Sequence, residues 1–329
     1  MLRDFLRARE HVLRSSRRAR VRLVRPEIGK VVQLIRRQDA ASVEEALRLL
    51  QDMVFSFSMR VCGQRQDAED TMQEVLFKSV PYLPKFDSPK ALAVWLYKVA
   101  KNRCQMTRRK SKFAPTASLS LEELMPDRRD MKKLAGESAA TPETSLLQQE
   151  SATQLKKAVQ KLPPAYRLIL VLHDMEELSK ADIAAITGLR LGTIRVRLHR
   201  ARLFVRKELA KPDRHRAKER PKRPAAEAAA PPGPREPRCK DLFAELSGYL
   251  DDELDDSLCE ELERHLHGCA ACQAFLATLQ GTIEQCRAVP GASPDPHAAS
   301  KLRRELLSQY QAVLRQVSRP DATDTHYTT

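Results

Sequence analysis

The sequence has little glycine, few aromatic residues and no long apolar run. Only 10 of its 329 residues are glycine and 5% are aromatic, which argues against a large sheet-rich enzyme and leaves helices as the favoured structure. No stretch approaches the ~18 consecutive apolar residues of a membrane span. Arg3, Arg7 and Arg9 occupy the region where a secretory signal needs an apolar block. Seven irregularly spaced cysteines are too few for a secreted disulfide scaffold. We therefore expect an all-α chain without a membrane segment.

The charge is strongly positive but unevenly distributed. The net charge of +15 points to a polyanionic partner. Residues 1–38 carry a net +9 and residues 151–210 a net +7, whereas residues 239–289 carry a net −8 (three basic and eleven acidic residues). This asymmetry indicates that the basic and acidic parts contact different partners or each other.

Composition marks two connecting segments. Residues 211–238 contain seven prolines and an Ala-rich run, which is typical of an extended, semi-rigid linker. A looser connector rich in small polar residues precedes residue 151. We therefore divide the chain into a basic N-terminal extension, a helical domain, a connector, a second helical domain, the Pro-rich linker, an acidic domain and a C-terminal helix with its tail: 1–38, 39–112, 113–150, 151–210, 211–238, 239–289 and 290–329.

The second helical domain has the pattern of a helix-turn-helix. Pro163 and Pro164 open one helix, a short helix follows Ser179 and ends at Gly188, and a third helix starts at about Thr193. Glycine is suited to the turn between the last two helices. Within the third helix, the apolar positions recur at helical spacing and form one stripe: Ile194, Leu198, Ala201 and Val205. Basic residues occupy the other faces, which predicts that the N-terminal half of this helix lies in the major groove of DNA.

The first helical domain contains an acidic turn followed by a basic helix. Asp67, Glu69 and Asp70 suit a helix N-terminus, and the later helix contains Trp95 ahead of several basic residues. An aromatic ring beside basic side chains can bind unstacked nucleic acid, because the ring stacks on a nucleobase and the cations contact phosphates. The spacing of Trp95 alone favours a core position.

Together these two blocks resemble a bacterial sigma factor of the extracytoplasmic-function (ECF) type. The motifs are DAEDTMQEVLFKSV with WLYKVAKNRCQMTRRK, then LPPAYRLILVLHDMEELSKADIAAITGLRLGTIRVRLHRAR, and they span about residues 45–210. The first block is similar to the region-two domain of that family and the second to its region-four domain. Val196 departs from the small polar residue that the family has in the recognition helix. The resemblance implies core RNA polymerase and promoter DNA as partners, a bacterial cytoplasmic location and no enzymatic activity.

The resemblance also implies a role for each matching residue. Four residues would dock on the clamp helices of the polymerase: Asp70, Gln73, Glu74 and Val75. Residues of the basic helix would recognise and help melt the minus-ten element: Trp95, Lys98, Lys101, Asn102 and Arg103, with Arg108 and Arg109 extending the basic surface. The recognition helix would contact the minus-thirty-five element: Thr193, Arg195, Arg197, His199 and Arg200. The connector between the domains would thread toward the RNA exit path.

The acidic domain contains a candidate zinc site. His265, Cys269 and Cys272 follow a spacing that would place them on one face of a helix. Cys239 can complete a tetrahedral Cys₃His site, which zinc favours and which leaves no open position for catalysis. Two alternatives remain: the cysteines are buried core residues, or Cys269 and Cys272 form a disulfide that ejects zinc, so that the metal would sense oxidants.

This domain resembles the zinc-binding anti-sigma domain, a small helical unit that blocks a sigma factor. The matching residues are the upstream Cys, ELSGYLDDEL and ERHLHGCAAC, with Asp252 where the family has glycine. Such domains normally sit on a separate protein, so the fusion suggests regulation in cis. Lys301–Val317 has apolar residues at helical spacing, which indicates an amphipathic helix packed on a partner or on the sigma domains.

Two other functions would fit parts of the sequence. A helix-turn-helix regulator that is not a polymerase subunit would need neither the acidic block nor the Trp95 block. A zinc hydrolase would need an HExxH motif or an open metal position, and the sequence shows neither.

Overall fold

The computed structural model describes residues 26–109, 118–126, 145–211 and 237–317. The predicted basic arm before residue 26 and most of the Pro-rich linker lie outside these described residues. Within them the secondary structure is helical, without a strand, which confirms the all-α prediction. None of the helices in the described part of the chain combines the length and the apolar character that a membrane span needs.

The described residues form thirteen α-helices. In chain order they are α1 (Pro26–Arg37), α2 (Ala40–Cys62), α3 (Arg65–Ser79), α4 (Pro89–Arg109), α5 (Leu121–Leu124), α6 (Ser145–Lys161), α7 (Pro164–Leu170), α8 (Lys180–Thr187), α9 (Leu191–Leu209), α10 (Pro237–Leu250), α11 (Asp256–Gly268), α12 (Ala270–Ala288) and α13 (Pro296–Val317). A 3₁₀ turn covers Leu83–Lys85, and a π-helical turn, Val171–Met175, continues α7.

The helices group into two compact units. The described residues of the first unit are 26–109, 185–188 and 290–317. Those of the second unit are 118–126, 145–184, 189–211 and 237–289. The acidic domain thus shares one unit with most of the helix-turn-helix segment, while the C-terminal helix belongs with the first helical domain.

The first unit is built around α2, a long and largely buried helix. Its ends are defined by Asp39, whose carboxylate accepts a hydrogen bond from the main-chain nitrogen of Ser42 at 2.8 Å, and by Gly63, which takes the left-handed conformation at φ 83°. Helix α1 packs on α2 through buried apolar residues, which include Ile28 and Val31. Part of the predicted N-terminal extension therefore belongs to this folded unit.

The C-terminal helix α13 packs on α2 in the same unit. Buried Gln51 of α2 donates to the main-chain oxygen of Ala299 at 2.9 Å and accepts from Arg303 at 2.8 Å. Leu306 and Tyr310 of α13 are almost fully buried. The predicted amphipathic helix exists, begins earlier than expected, and covers a sigma-like domain of its own chain.

The helix-turn-helix, most of which lies in the second unit, forms as the sequence predicts. Helix α7 begins at Pro164, the Ser179 hydroxyl accepts from the main-chain nitrogen of Asp182 at 3.1 Å, and Gly188 adopts φ 73° in the turn. The apolar stripe of α9 is entirely buried: Ile194, Leu198, Ala201 and Val205. The stripe therefore faces the core, and only the remaining faces of α9 are available to solvent or to a partner.

The helices of the acidic domain share one apolar core with α9 and α5. The ring centroids of Phe243 on α10 and Phe275 on α12 lie 4.7 Å apart in an edge-to-face arrangement. The buried residues of this core are Leu124, Leu203, Leu242, Phe243, Leu246, Leu262, Leu266, Cys272, Phe275, Leu276 and Leu279. The acidic domain therefore packs on the recognition helix through apolar contacts as well as charges.

Candidate nucleic-acid interface and metal centre

Helix α3 presents part of the predicted polymerase-docking segment. Asp70 and Gln73 are exposed, and Glu74 is half-buried. The Glu74 carboxylate pairs with Lys78 at 2.7 Å and with Arg103 of α4 at 2.8 Å. Val75 is fully buried and packs in the core of the unit. The polar members of this set therefore lie on the surface of α3, and its apolar member lies in the core.

Helix α4 divides its predicted nucleic-acid residues between surface and interior. Lys98 and Asn102 are exposed, while Lys101 is only 9% exposed, and burial followed by repulsion from Lys98 lowers the pKa of the Lys101 ammonium. Arg108 and Arg109 lie in α4, but their side chains fall outside the described residues. Among the members of the predicted base-contacting set whose side chains are described, Lys98 and Asn102 are thus the most accessible polar groups.

Trp95 belongs to an aromatic cluster at the start of α4. Its ring centroid lies 5.9 Å from that of Tyr82 and 5.9 Å from that of Phe86. Trp95 is half-buried, whereas Tyr82 is 50% exposed, and the Lys85 ammonium lies 5.9 Å from the Tyr82 ring centroid. An exposed ring beside a cation suits base stacking and phosphate contact. Sequence reasoning did not single out Tyr82, because its proximity to Trp95 depends on the turn between α3 and α4.

The recognition helix α9 shows a similar division. Arg195 is exposed, Thr193, Arg197 and Arg200 are half-buried, and His199 is 6% exposed. The Nδ1 atom of His199 lies 2.9 Å from the Ser247 hydroxyl of α10, and its Nε2 is buried without a hydrogen-bond partner among the described residues. Burial, together with Arg202 and Arg200, lowers the pKa of His199 to about 4. Hence His199 is neutral and enclosed.

Two carboxylates of the acidic domain meet the basic residues of the helix-turn-helix. The Lys180 ammonium lies 2.6 Å from Asp251 Oδ2 and 2.7 Å from Glu253 Oε2. The Arg195 Nε lies 3.2 Å from the same Glu253 oxygen. The short segment after α10 therefore places two negative groups against Lys180 and Arg195 of the helix-turn-helix.

A buried ionic cluster lies beneath this contact. Arg202 and Asp174 are fully buried, and their closest atoms lie 2.6 Å apart. The π-helical turn positions Asp174, and Asp251 enters from the acidic domain to bind the same guanidinium at 2.8 and 3.0 Å. Although burial raises the pKa of Asp174 and of Asp251, the Arg202 charge outweighs it and holds both pKa values well below the usual range. Both carboxylates are therefore ionised, and one of the two that pair with Arg202 comes from the acidic domain.

The C-terminal half of α9 packs on α12. The Arg206 guanidinium lies 3.8 Å from the ring centroid of Phe275, and its Nε donates to the Thr278 hydroxyl at 2.7 Å. The sequence predicted that basic residues occupy the faces of α9 outside the apolar stripe, and Arg202 and Arg206 are two of these residues. Both are buried, because the acidic domain and the rest of region four enclose that side of the helix.

Part of the connector between the two predicted sigma domains also binds α9. Arg200 donates to the main-chain oxygen of Leu119 at 3.0 Å, and Lys207 donates to that of Glu123. Leu124 of α5 enters the apolar core of the acidic domain. The described piece of connector is therefore bound to α9 and the acidic domain together.

The candidate metal ligands converge at the junction of α11 and α12. His265 Nε2 lies 3.3 Å from Cys272 Sγ, and the ligand atoms of His265, Cys269 and Cys272 all lie within 4.8 Å of one another. The prediction that the three lie on one helix is wrong, because α11 ends at Gly268 and extended Cys269 precedes α12. The helix break brings them together instead. Cys239 lies in α10, but its side chain falls outside the described residues.

A set of nitrogen and sulfur donors at these separations fits zinc. Zn–S and Zn–N bonds of about 2.3 and 2.0 Å in a tetrahedron separate ligand atoms by about 3.3–3.8 Å. The His265–Cys272 separation of 3.3 Å already lies in this range. The residues present therefore suit a structural zinc ion.

One feature of the first unit had no sequence signal. Cys62 at the end of α2 and Cys104 in α4 form a disulfide across 42 residues of sequence. Neither spacing nor composition pairs these two cysteines, since the pairing depends on how α2 and α4 cross.

The described residues thus form two helical segments with side chains suited to nucleic acid, one of which is a helix-turn-helix. They also form a small helical domain whose His and Cys residues suit zinc. This arrangement defines a DNA-binding transcription protein.

Comparison with known families agrees with this class and narrows it. Residues 47–113 match the family model for sigma-70 region 2, residues 152–205 match that for sigma-70 region 4, and residues 239–273 match a zinc-finger family. The chain is 27% identical over 182 residues to the ECF RNA polymerase sigma factor SigW of Bacillus subtilis, covering 55% of this chain and 96% of the relative. It is 31% identical over 171 residues to the ECF sigma factor SigE of Mycolicibacterium smegmatis (52% and 62%), and 26% identical over 192 residues to the RNA polymerase sigma-H factor of Pseudomonas aeruginosa (57% and 96%).

The chain thus carries sigma-70 regions 2 and 4 in the order found in ECF sigma factors, followed by a segment that matches a zinc-finger family and resembles an anti-sigma domain. It directs transcription initiation at promoters, and the sigma factor family is not enzymatic.

Proposed function

We propose that this sigma factor binds core RNA polymerase and promoter DNA in the bacterial cytoplasm, and that its own zinc-binding domain restrains region four in cis. The polymerase would bind the polar face of α3, which includes Asp70 and Gln73. Single-stranded minus-ten DNA would bind beside Trp95, Lys98 and Asn102, and α9 would contact the minus-thirty-five element. The observation that carries the cis restraint is the contact of Asp251 and Glu253 with basic residues of the helix-turn-helix.

Charge competition supports this proposal. A phosphate and a carboxylate present similar anionic oxygens to a cation. Lys180 is bound by two carboxylates at 2.6 and 2.7 Å, and Arg195 by one at 3.2 Å. Promoter phosphates would need to displace these oxygens before they could use the same cations. Tethering through the linker gives the acidic domain an effective concentration of about millimolar, so it competes even at weak intrinsic affinity.

Steric occlusion acts on the same helix. His199 is enclosed by Ser247 of α10, and Arg206 lies against Phe275 of α12. A recognition helix enters the major groove along much of its length. Because α10 and α12 pack along α9, the groove and the acidic domain would compete for overlapping parts of its surface.

Zinc would supply the rigidity of the acidic domain. We propose that His265, Cys269, Cys272 and Cys239 hold the ion and that it joins α10 to the α11–α12 junction. Small domains with little core commonly depend on such a tie. Asp251 and Glu253 follow α10 directly, so a fixed α10 orients both carboxylates toward Lys180.

The test is reconstituted transcription with core polymerase and the full-length, zinc-loaded chain. We expect the double variant Asp251→Asn with Glu253→Gln to bind promoter DNA at least about tenfold more tightly and to start more transcripts, since truncated buried charge pairs typically cost 2–5 kcal/mol at an interface. The matched control is Glu260→Gln with Glu261→Gln, which removes two exposed acids of the same domain.

Two readouts separate the parts of the proposal. Binding to core polymerase in the absence of DNA tests the sigma function and should be present in all three proteins. Equal promoter affinity in the wild type and the double variant would contradict the cis restraint while leaving the sigma function intact.

A further inference from the structure

The disulfide between Cys62 and Cys104 lies at a functionally central place in region two. Its two Cα atoms are 5.8 Å apart, within the usual range for this bond. Cys62 is the last residue of α2 and is half-buried, whereas Cys104 in α4 is 2% exposed. Both lie in the first compact unit, and neither belongs to the metal cluster of the second.

The cross-link joins the helices that carry the predicted polymerase and DNA contacts. It closes a loop that contains all of α3 and most of α4. Thr71 Oγ1 of α3 lies 3.9 Å from Cys104 Sγ, and neighbouring Arg103 pairs with Glu74 of α3 at 2.8 Å. The bond therefore fixes α4 against α2 two residues from Asn102, and the Thr71 and Glu74 contacts hold α3 at the same place.

We propose that Cys62 and Cys104 form a redox-reversible pair whose disulfide braces α4 for promoter melting. Disulfides of proteins that work in reducing compartments are usually redox-active, whereas permanent ones belong to oxidising compartments. The different exposure of the two cysteines suits exchange with a small disulfide, because one thiol is accessible and the other lies behind it.

The chemistry balances with a low-molecular-weight disulfide such as oxidised glutathione as the oxidant. The Cys62 thiolate attacks one glutathione sulfur, breaks the glutathione S–S bond and releases one glutathione thiolate. The Cys104 thiolate then attacks the Cys62 sulfur of this mixed disulfide and releases the second glutathione thiolate. The two cysteine protons end on the two glutathione molecules, so two protein thiols are oxidised and one glutathione disulfide is reduced.

The bond should stabilise region two mainly by restricting its unfolded chain. Reduction leaves the folded contacts in place but removes that restriction, so we expect the reduced protein to melt at least about 5 °C lower. Since α4 must keep its shape while it holds unpaired bases, open-complex formation should fall on reduction as temperature rises.

The experiment uses the full-length, zinc-loaded chain in mixtures of reduced and oxidised glutathione. Thiols are trapped by alkylation, the Cys62–Cys104 peptide is quantified by mass spectrometry, and melting is followed in parallel with zinc content. We expect the cross-linked fraction to rise sigmoidally with potential and the melting temperature to rise with it, at constant zinc.

The Cys62→Ser variant should lose the redox-dependent shift in melting temperature, since the half-buried position tolerates a hydroxyl better than Cys104 does. The matched control is Cys259→Ser, which replaces another half-buried cysteine and should keep the shift. If Cys62→Ser does not fold, the wild-type titration decides alone. Full alkylation of both residues at every potential, or a cross-link that leaves the melting temperature unchanged, would overturn the proposal.

Discussion

Arg202 and Asp174 form an ion pair that is fully buried inside region four, and Asp251 of the zinc-finger domain binds the same guanidinium. The Arg202–Asp174 contact measures 2.6 Å and the Arg202–Asp251 contact 2.8 Å. One arginine thus makes two contacts: it pairs with Asp174 inside region four and with Asp251 of the zinc-finger domain. These roles can be separated by mutating either acid.

We expect Asp174→Asn to destabilise region four by about 3–5 kcal/mol, because removal of one partner leaves a buried charge poorly compensated. Chemical denaturation of the full-length chain measures the loss. The matched control is Glu177→Gln, an exposed acid three residues away, which should change stability by less than about 0.5 kcal/mol. Similar losses in the two variants would show that the buried pair adds little.

The contact between α9 and the zinc-finger domain should weaken as the pH falls below 6.5. The pKa of His199 is lowered to about 4 in the fold, against about 6.5 when unfolded, so the unfolded chain takes up protons first. The stability from neutral His199 is complete above pH 6.5 and is lost progressively down to pH 4. At pH 5.5 the loss should be about 1.4 kcal/mol.

Comparison with His199→Asn isolates this effect. Arg202, Arg200 and Asp251 act on the His199 ring, and the variant keeps every other histidine of the chain, so only the contribution of His199 differs between the two proteins. We therefore expect a smaller fall in unfolding free energy between pH 7 and pH 5.5 in the variant. Parallel curves would contradict the assignment.

Local sequence patterns were sufficient to predict the helix-turn-helix. The spacing of Ile194 and Leu198 gives the buried face of α9 directly, and Gly188 marks the turn, because both depend on neighbours within one helix or loop. The three candidate zinc ligands also proved to be close, although a helix break rather than a continuous helix brings them together.

Long-range contacts were beyond the sequence. Burial of Arg202 and His199, the Cys62–Cys104 disulfide and the place of Tyr82 beside Trp95 all depend on how separate helices cross. The excess of acids in residues 239–289 suggested that a basic partner exists. It did not indicate that Asp251 would reach an arginine inside region four.

Two glycines near the recognition helix should respond in opposite directions to alanine. Gly188 has φ 73° and open space around an added Cβ, so Gly188→Ala should cost about 1–2 kcal/mol through the backbone alone. Gly192 is the second residue of α9 and has equally open space, so Gly192→Ala should stabilise by about 0.5 kcal/mol, the lower end of the helix-interior value. Denaturant unfolding at one pH measures both, and a stabilised Gly188→Ala protein would be inconsistent with the left-handed turn.

The chain should bind one zinc ion, and removal of the ion should loosen the acidic domain. We expect Cys272→Ser to lose most of the metal, because Cys272 lies within the ligand cluster. Cys286→Ser, another buried cysteine of α12, should retain it. Elemental analysis gives the stoichiometry, and hydrogen exchange over α11 and α12 should rise on chelation. Equal zinc content in the two variants would exclude the proposed ligand set.

Trp95 should contribute to promoter melting through its ring rather than through the core alone. Stacking of one base on an aromatic side chain is worth about 1–3 kcal/mol, so Trp95→Ala should reduce open-complex formation about 10- to 100-fold, while Trp95→Phe should retain much of it. A fluorescent base analogue in the minus-ten element reports the melted state. Val94→Ala, a change at the adjacent half-buried position, controls for packing.

Because Tyr82 lies 5.9 Å from Trp95 and is half exposed, Tyr82→Ala should weaken melting without changing region-two stability by more than about 1 kcal/mol. Unfolding curves for each variant separate loss of stacking from loss of fold, and a melting defect that tracks stability alone would assign Trp95 to the core.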